Sequence, residues 1–315
     1  MNYQWYPGHM TKARRAMQED IRLIDLVIEL VDARIPLSSK NPDIDELAKG
    51  KARILLLNKA DLADERVSSE WKRYYEAQGI YTALVNSVRA TTLKQLQPLI
   101  DQACAAKTER DLKRGILNRP VRAMVCGIPN VGKSTFINSF AGKAATKTGN
   151  RPGVTRGKQW IRLNKKVELL DTPGILWPRF EDPKAGEKLA MTGAIRDEIL
   201  DSTDLAGKLI RLLDERYPVA IRRRYFSKED EASLLGDGSV IPSKEESDGA
   251  GEVLLSDQDA LATAQILEGI ARSRSCLREN GQPDLSRAAA LLIDDFRKAK
   301  LGKITLEKPP ESWYV

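Results

Sequence analysis

Residues 127–134 read Gly-Ile-Pro-Asn-Val-Gly-Lys-Ser and fit the pattern GxxxxGK[ST]. Glycines at both ends let a loop curl until several backbone amides point at one phosphate. In such a loop Lys133 reaches the β and γ phosphates and Ser134 holds Mg²⁺, with Asn130, Val131, Gly132 and Thr135 completing the grip. The stretch before it (Val121 to Gly127) is strand-like and the stretch after it helix-like, as the mechanism requires. Asp171-Thr-Pro-Gly174 ends a second apolar run. There Asp171 is expected in the Mg²⁺ shell and the Gly174 amide at the γ-phosphate. Between the two motifs, Thr155 in Arg-Pro-Gly-Val-Thr-Arg-Gly sits where a loop lends a hydroxyl to Mg²⁺ and the γ-phosphate; an ordinary loop threonine is the equal alternative.

A third motif, Asn58-Lys-Ala-Asp61, directly follows the apolar run Arg-Ile-Leu-Leu-Leu. A carboxylate at Asp61 accepts hydrogen bonds from N1–H and the 2-amino group of guanine, a pair adenine does not present. Asn58 is expected on the other edge of the base, with the Lys59 stem over the ring. Backbone amides near Ser87 are candidates for guanine O6. The implied ligand is GTP or GDP. The order is unusual, because the base reader precedes the phosphate loop. A circular permutation reconciles that order with one sheet, and residues 107–120 have the character of the linker it needs.

The elements that must carry these motifs alternate in type. Strands are predicted at Leu26–Asp32, Arg53–Asn58, Tyr81–Asn86, Arg122–Gly127, Lys158–Leu163 and Val167–Asp171, with helices at Glu65–Gln78, Leu93–Ala106 and Lys133–Ala141. This is an α/β pattern, a mostly parallel sheet with crossover helices. Beyond Trp177 only helical patterns follow, at Asp204–Arg216, Asp259–Arg272 and Ser286–Lys298, the last with Ser286 as N-cap. The domains are placed at 1–177 and 178–315, with an acidic, mobile loop near 228–258.

The chain has 315 residues and a net charge of +7. Residues 228–259 carry ten acids and two lysines, whereas 142–167 carry eight basic residues and no acid. Further basic clusters lie at 107–122 and at Arg222 to Arg224. Such clusters attract polyanions by counterion release, although each alone is also ordinary solvated surface. No run is long and apolar enough to span a membrane, and the aromatic, His-bearing N-terminus is unlike a signal peptide. Three scattered cysteines and one histidine exclude a disulfide framework and a multi-histidine metal site and suit a reducing cytoplasm. The chain is expected to be monomeric.

In this order the segments WYPGHM, VDARIP, NKADL, GIPNVGKS, RPGVTRG and DTPG resemble the circularly permuted GTPases of the ribosome biogenesis GTPase A (YlqF, RbgA) family. The likeness continues through the C-terminal SCLRENGQPDLSRAAALLIDDFRKAKLGKITLE. It implies a P-loop GTPase fold, circularly permuted, followed by a small helical RNA-contacting domain. It also implies a factor that binds the large ribosomal subunit and its rRNA late in assembly and leaves after GTP hydrolysis.

Common switch GTPases place a glutamine after DxxG to orient water; here Ile175 stands there. His9 is one substitute. It lies about 17 residues before the first strand, close enough to reach back toward the phosphates, and its ordinary pKa of about 6.5 suits proton handling. Residue chemistry alone leaves a capping turn equally open; the resemblance favours a catalytic His9. A K⁺ ion held by Asn130 is a second substitute, against a plain turn-forming role. Two other functions are weighed: a signalling GTPase with protein partners, and a P-loop ATPase or kinase.

Overall fold

The computed structural model describes residues 15, 17–142, 159–171, 183–195, 201–226 and 257–313. His9, Thr155, Gly174, Ile175 and the acidic stretch 228–256 lie outside the described residues, as do most of the basic run 142–167 and the side chain of Asp171.

Six strands form one sheet: β1 (Leu26–Asp32), β2 (Ala52–Asn58), β3 (Tyr81–Leu84), β4 (Val121–Gly127), β5 (Gln159–Arg162) and β6 (Val167–Asp171). Their order is β3-β2-β1-β4-β6-β5. All neighbours run parallel except β5, which is antiparallel to β6. Every residue of β1 is buried, Glu29 and Asp32 included, as its Val, Ile and Leu content predicts for a strand covered on both faces. The register sets Asp32 opposite Asn58, Leu30 opposite Gly127 and Val125 opposite Asp171. The carboxyl ends of β1, β2, β4 and β6 therefore share one sheet edge, the side on which open α/β sheets hold their ligands.

Two core clusters lie along one face of the sheet, since their strand residues are in register on the same side. Met17, Ile24, Val27, Ile44, Ala48, Met124, Cys126 and Leu170 pack toward β4 and β6. Leu55, Leu57, Val31 and Ala63 pack with Trp71 and Tyr75 toward β2. The helix Glu65–Ala77 packs there through Trp71 and Tyr75, which stack on each other one turn apart. Its first turn is capped by Asp64, which accepts from the amides of Arg66 and Val67, an arrangement worth about 1 kcal/mol.

Two expectations are corrected. The helix predicted at Leu93–Ala106 is three pieces, Ala90–Leu93, Leu96–Ala103 and Ala105–Lys113. Pro98 accounts for the first break: it suits a first helical turn, but a continuous helix from Leu93 would lose its amide bond and clash with the preceding turn. The helix Leu285–Arg297 is capped by Asp284, which accepts from the Arg287 amide, and not by Ser286.

The chain divides into two compact units, Met1–Leu189 with Glu307–Val315, and Ala190–Leu306. In the first unit the returning C-terminal segment is held by Glu307. Its buried carboxylate accepts from the amides of Leu37 and Ser38, from the Ser38 hydroxyl and from Lys188, while its carbonyl accepts from Trp71 Nε1. The second unit is helical: Ser202–Arg216, Ala220–Tyr225, Asp257–Ser273 and Leu285–Arg297, packed through Leu209, Leu213, Ile270, Leu292 and Phe296. No helix among the described residues is long and apolar enough to cross a membrane.

The basic clusters are partly internal. Lys107 and Arg119 both pair with Asp25 at the foot of β1, and the Arg122 amide donates to the same carboxylate. Residues 107–120 are thus tied back onto the sheet. Arg224 pairs with the fully buried Asp295, which leaves Arg223 as the exposed member of its trio.

Candidate functional site

The phosphate loop connects β4 to the helix Lys133–Ala141. Its backbone requires glycine at two points. Gly127 has φ +145°, and a Cβ there would sit 2.5 Å from the carbonyl oxygen of Leu30. Gly132 has φ +102°, and a Cβ there would sit 2.5 Å from Asn58 Nδ2. Asn130 takes the left-handed conformation, φ 56°, which asparagine tolerates better than most residues; this satisfies its turn-forming role. Val131 is buried, and Ser134 and Thr135 are half-buried in the helix's first turn. Lys133 is buried, and its ammonium donates to the carbonyls of Gly127 and Ile128 at 3.1 and 2.8 Å.

Asn58, at the end of β2, is where the two sequence-distant motifs meet. Its Nδ2 donates to the Val131 carbonyl at 2.7 Å. Its Oδ1 accepts from the Ser87 amide at 3.1 Å and the Ser87 hydroxyl at 2.7 Å. The side chain is buried and makes Asn58 a strut between three loops, with one of its two Nδ2 hydrogens given to Val131. The Ser87 amide is likewise engaged by Asn58, and the Val88 amide by Asn86 Oδ1. The donors proposed for guanine O6 thus already have protein partners.

Two aspartates of the turn after β2 have different tasks. Asp64 caps the following helix. Asp61 is exposed, and its carboxylate makes no hydrogen bond among the described residues. The turn is held by Ala60 donating to the Val85 carbonyl and Leu62 to the Lys59 carbonyl, which leaves Asp61 available to a ligand at the sheet edge. Lys59 has φ 59° and reaches Asp32 at 3.0 Å.

Asp32 was not singled out as a site residue. Arg34 grips it in two-point fashion, Nε to Oδ1 at 2.9 Å and Nη2 to Oδ2 at 2.7 Å. Burial pushes the Asp32 carboxyl up, but Arg34 and Lys59 beside it hold it well below the usual carboxylate range. The available signal was the acid in Val-Asp-Ala-Arg at the end of one strand and the lysine just beyond the end of its neighbour.

Relatives place this arrangement. The profile of the 50S ribosome-binding GTPase family matches residues 122–232. Ribosome biogenesis GTPase A of Bacillus pumilus is 43% identical over 98% of this chain and 99% of its own. The chain belongs to the ribosome biogenesis GTPase A family. The member from Thermotoga maritima is 30% identical over 98% of this chain and 95% of its own. The solved structure of GDP-bound YlqF superposes with a TM-score of 0.61 at 25% identity, covering 94% of this chain and 99% of that one. The fold expected from the sequence, a P-loop GTPase domain on a mostly parallel sheet with a helical C-terminal region, is the fold of this family. The sheet order places β2, which leads into Asn58-Lys-Ala-Asp61, and β4, which leads into the phosphate loop, on either side of β1, with β2 the earlier of the two in the chain.

Proposed function

We propose that this protein is a GTPase of ribosome biogenesis that binds GTP and GDP, hydrolyses GTP to GDP and phosphate, and is stimulated by the large ribosomal subunit. The bond from Asn58 to the Val131 carbonyl carries the reading. It brings the turn bearing Asp61 against the loop bearing Lys133, so one guanine nucleotide spans both. An ATPase or kinase reading leaves the exposed Asp61, beside a helix cap already supplied by Asp64, without a task.

The loop amides and Lys133 bind and orient the phosphates, and Lys133 exchanges its two carbonyl partners for phosphate oxygens when nucleotide enters. The hydroxyl of Ser134, in the first helical turn after the phosphate loop, and the carboxylate of Asp171, the last residue of the strand beside β4, are an oxygen donor set that suits Mg²⁺. Thr155 adds a hydroxyl to that set, and the Gly174 amide meets the γ-phosphate. When bound, Mg²⁺ offsets phosphate charge. Asn130 is the candidate ligand for K⁺.

His9 orients the attacking water. Support comes from Met17, eight positions downstream, which packs with Met124 of β4 and Leu170 of β6, beside the strand that delivers Asp171. The subunit is met through rRNA by the remaining basic surface, and GTP and GDP set different affinities for it. The test is a GTPase assay with and without purified large subunits, in K⁺ and in Na⁺. Subunit stimulation that is greater in K⁺ is expected. A rate indifferent to subunits, with no nucleotide-dependent co-sedimentation, would leave a signalling switch with protein partners as the better reading.

A further inference from the structure

We infer that Asp32 is a positioning residue for the nucleobase: it clamps the Lys59 ammonium so that the lysine stem stands preformed against the purine face. The inference rests on the guanine reading above and goes further into the same site.

Three observations carry it. The first is placement. Asp32 closes β1 opposite Asn58 in the parallel register with β2, so its carboxylate stands at the sheet edge beside the base-reading turn. The second is rigidity. Asp32 Oδ1 accepts from the Arg34 amide at 3.1 Å as well as from its guanidinium, and the Asp32 amide donates to Ser39 Oγ at 2.9 Å. Ser39 is anchored in turn by donating to the Ile35 carbonyl. A carboxylate locked on this many partners is a fixed point rather than a mobile counter-ion. The third is the lysine. Lys59 is half-buried, with its backbone in the left-handed region, and its ammonium meets Asp32 Oδ2 at 3.0 Å.

A free lysine has many rotamers and loses that freedom on ordering. A lysine pinned at both ends has lost it before the ligand arrives, so the base meets a preorganised surface. Arg34 and Lys59 outweigh the upward push of burial and keep Asp32 ionised, so the clamp persists throughout the physiological pH range. Arg34 has a separate task. It satisfies the carboxylate lone pairs that Lys59 leaves over and prevents the acid from swinging toward the bound nucleotide.

The experiment uses the full-length protein and measures binding of GDP and of magnesium tripolyphosphate, a probe with phosphates and no base. The variants are Asp32→Asn, Lys59→Met and the two combined. Lys59→Met keeps an apolar stem and removes only the anchored charge. Each single variant is expected to weaken GDP binding by about tenfold, leave tripolyphosphate binding unchanged, and raise KM for GTP with kcat altered less than twofold. The double variant is expected to be no weaker than the weaker single one, because both remove one interaction. Unchanged GDP affinity in Lys59→Met overturns the clamp, and so does equal loss of GDP and tripolyphosphate binding. Should Asp32→Asn fail to fold, Lys59→Met alone decides the matter, since the Asp32–Arg34 pair survives in it. A wild-type protein that binds ADP as tightly as GDP would instead end the guanine reading itself.

Discussion

Asn58 and Val131 are joined by a 2.7 Å hydrogen bond across 73 positions of chain. It ties the end of β2 to the phosphate loop after β4, and the same side chain holds Ser87 on its other edge. Three loops from three strands therefore hang on one amide group, and none of them can shift without breaking a buried polar contact.

Asn58→Ala should therefore damage both stability and binding. It leaves the Val131 carbonyl and the Ser87 amide without their partner in a buried setting, a loss of about 1–3 kcal/mol. Urea denaturation with and without GDP checks this. The stabilisation conferred by GDP should shrink along with the intrinsic stability. A variant destabilised but with wild-type GDP affinity would show that the strut serves folding alone.

Gly127→Ala should be more harmful than a typical surface substitution. The added Cβ meets a backbone carbonyl, Leu30 O, at 2.5 Å, and the residue already has φ +145°. Strain of this kind costs about 1–3 kcal/mol before any clash is counted, and β4 must move away from β1 to relieve the contact. A lower Tm with weakened GDP binding is expected; thermal melts and nucleotide titration measure both.

Glu307→Ala should loosen the C-terminal segment from the first unit. It removes the acceptor for Lys188 and for the amides of Leu37 and Ser38. Removing one partner of a buried charged pair costs about 3–5 kcal/mol. Limited proteolysis should then cleave near residue 307 at protease levels the wild type resists.

Acid should expose the Asp32 clamp. Its folded-state pKa lies below that of the unfolded chain, so its stabilising contribution is complete above about pH 4 and drains away as pH falls further. Between about pH 4 and pH 2, Asp32→Asn should lose less stability than the wild type, as read from urea midpoints. Equal slopes would mean that the carboxylate is not preferentially stabilised in the folded protein.

Much of this was legible in the sequence because local rules suffice. Val-, Ile- and Leu-rich runs name β1 and β6 to the residue, and the glycine-flanked loop between a strand and a helix names the phosphate grip. What escaped depends on tertiary register. Asn58 stands in a motif associated with the base, and nothing in its neighbours reveals that its amide faces Val131 and Ser87. Asp32 and Lys59 are far apart in sequence and become partners only once β1 and β2 lie side by side with Asp32 opposite Asn58. Lys107 and Arg119 read as surface charge because Asp25, their shared partner, stands just before β1, more than eighty residues earlier.

The central claim is that one guanine nucleotide is gripped by Asp61 at its base and Lys133 at its phosphates. The most direct measurement is binding of GDP and XDP to wild type, Asp61→Asn and Lys133→Ala. An asparagine amide donates to the 2-oxo group of xanthine, where the aspartate accepts from the 2-amino group of guanine. Asp61→Asn should therefore reverse the preference from GDP to XDP, while Lys133→Ala weakens both alike. Retention of GDP preference by Asp61→Asn would contradict the account.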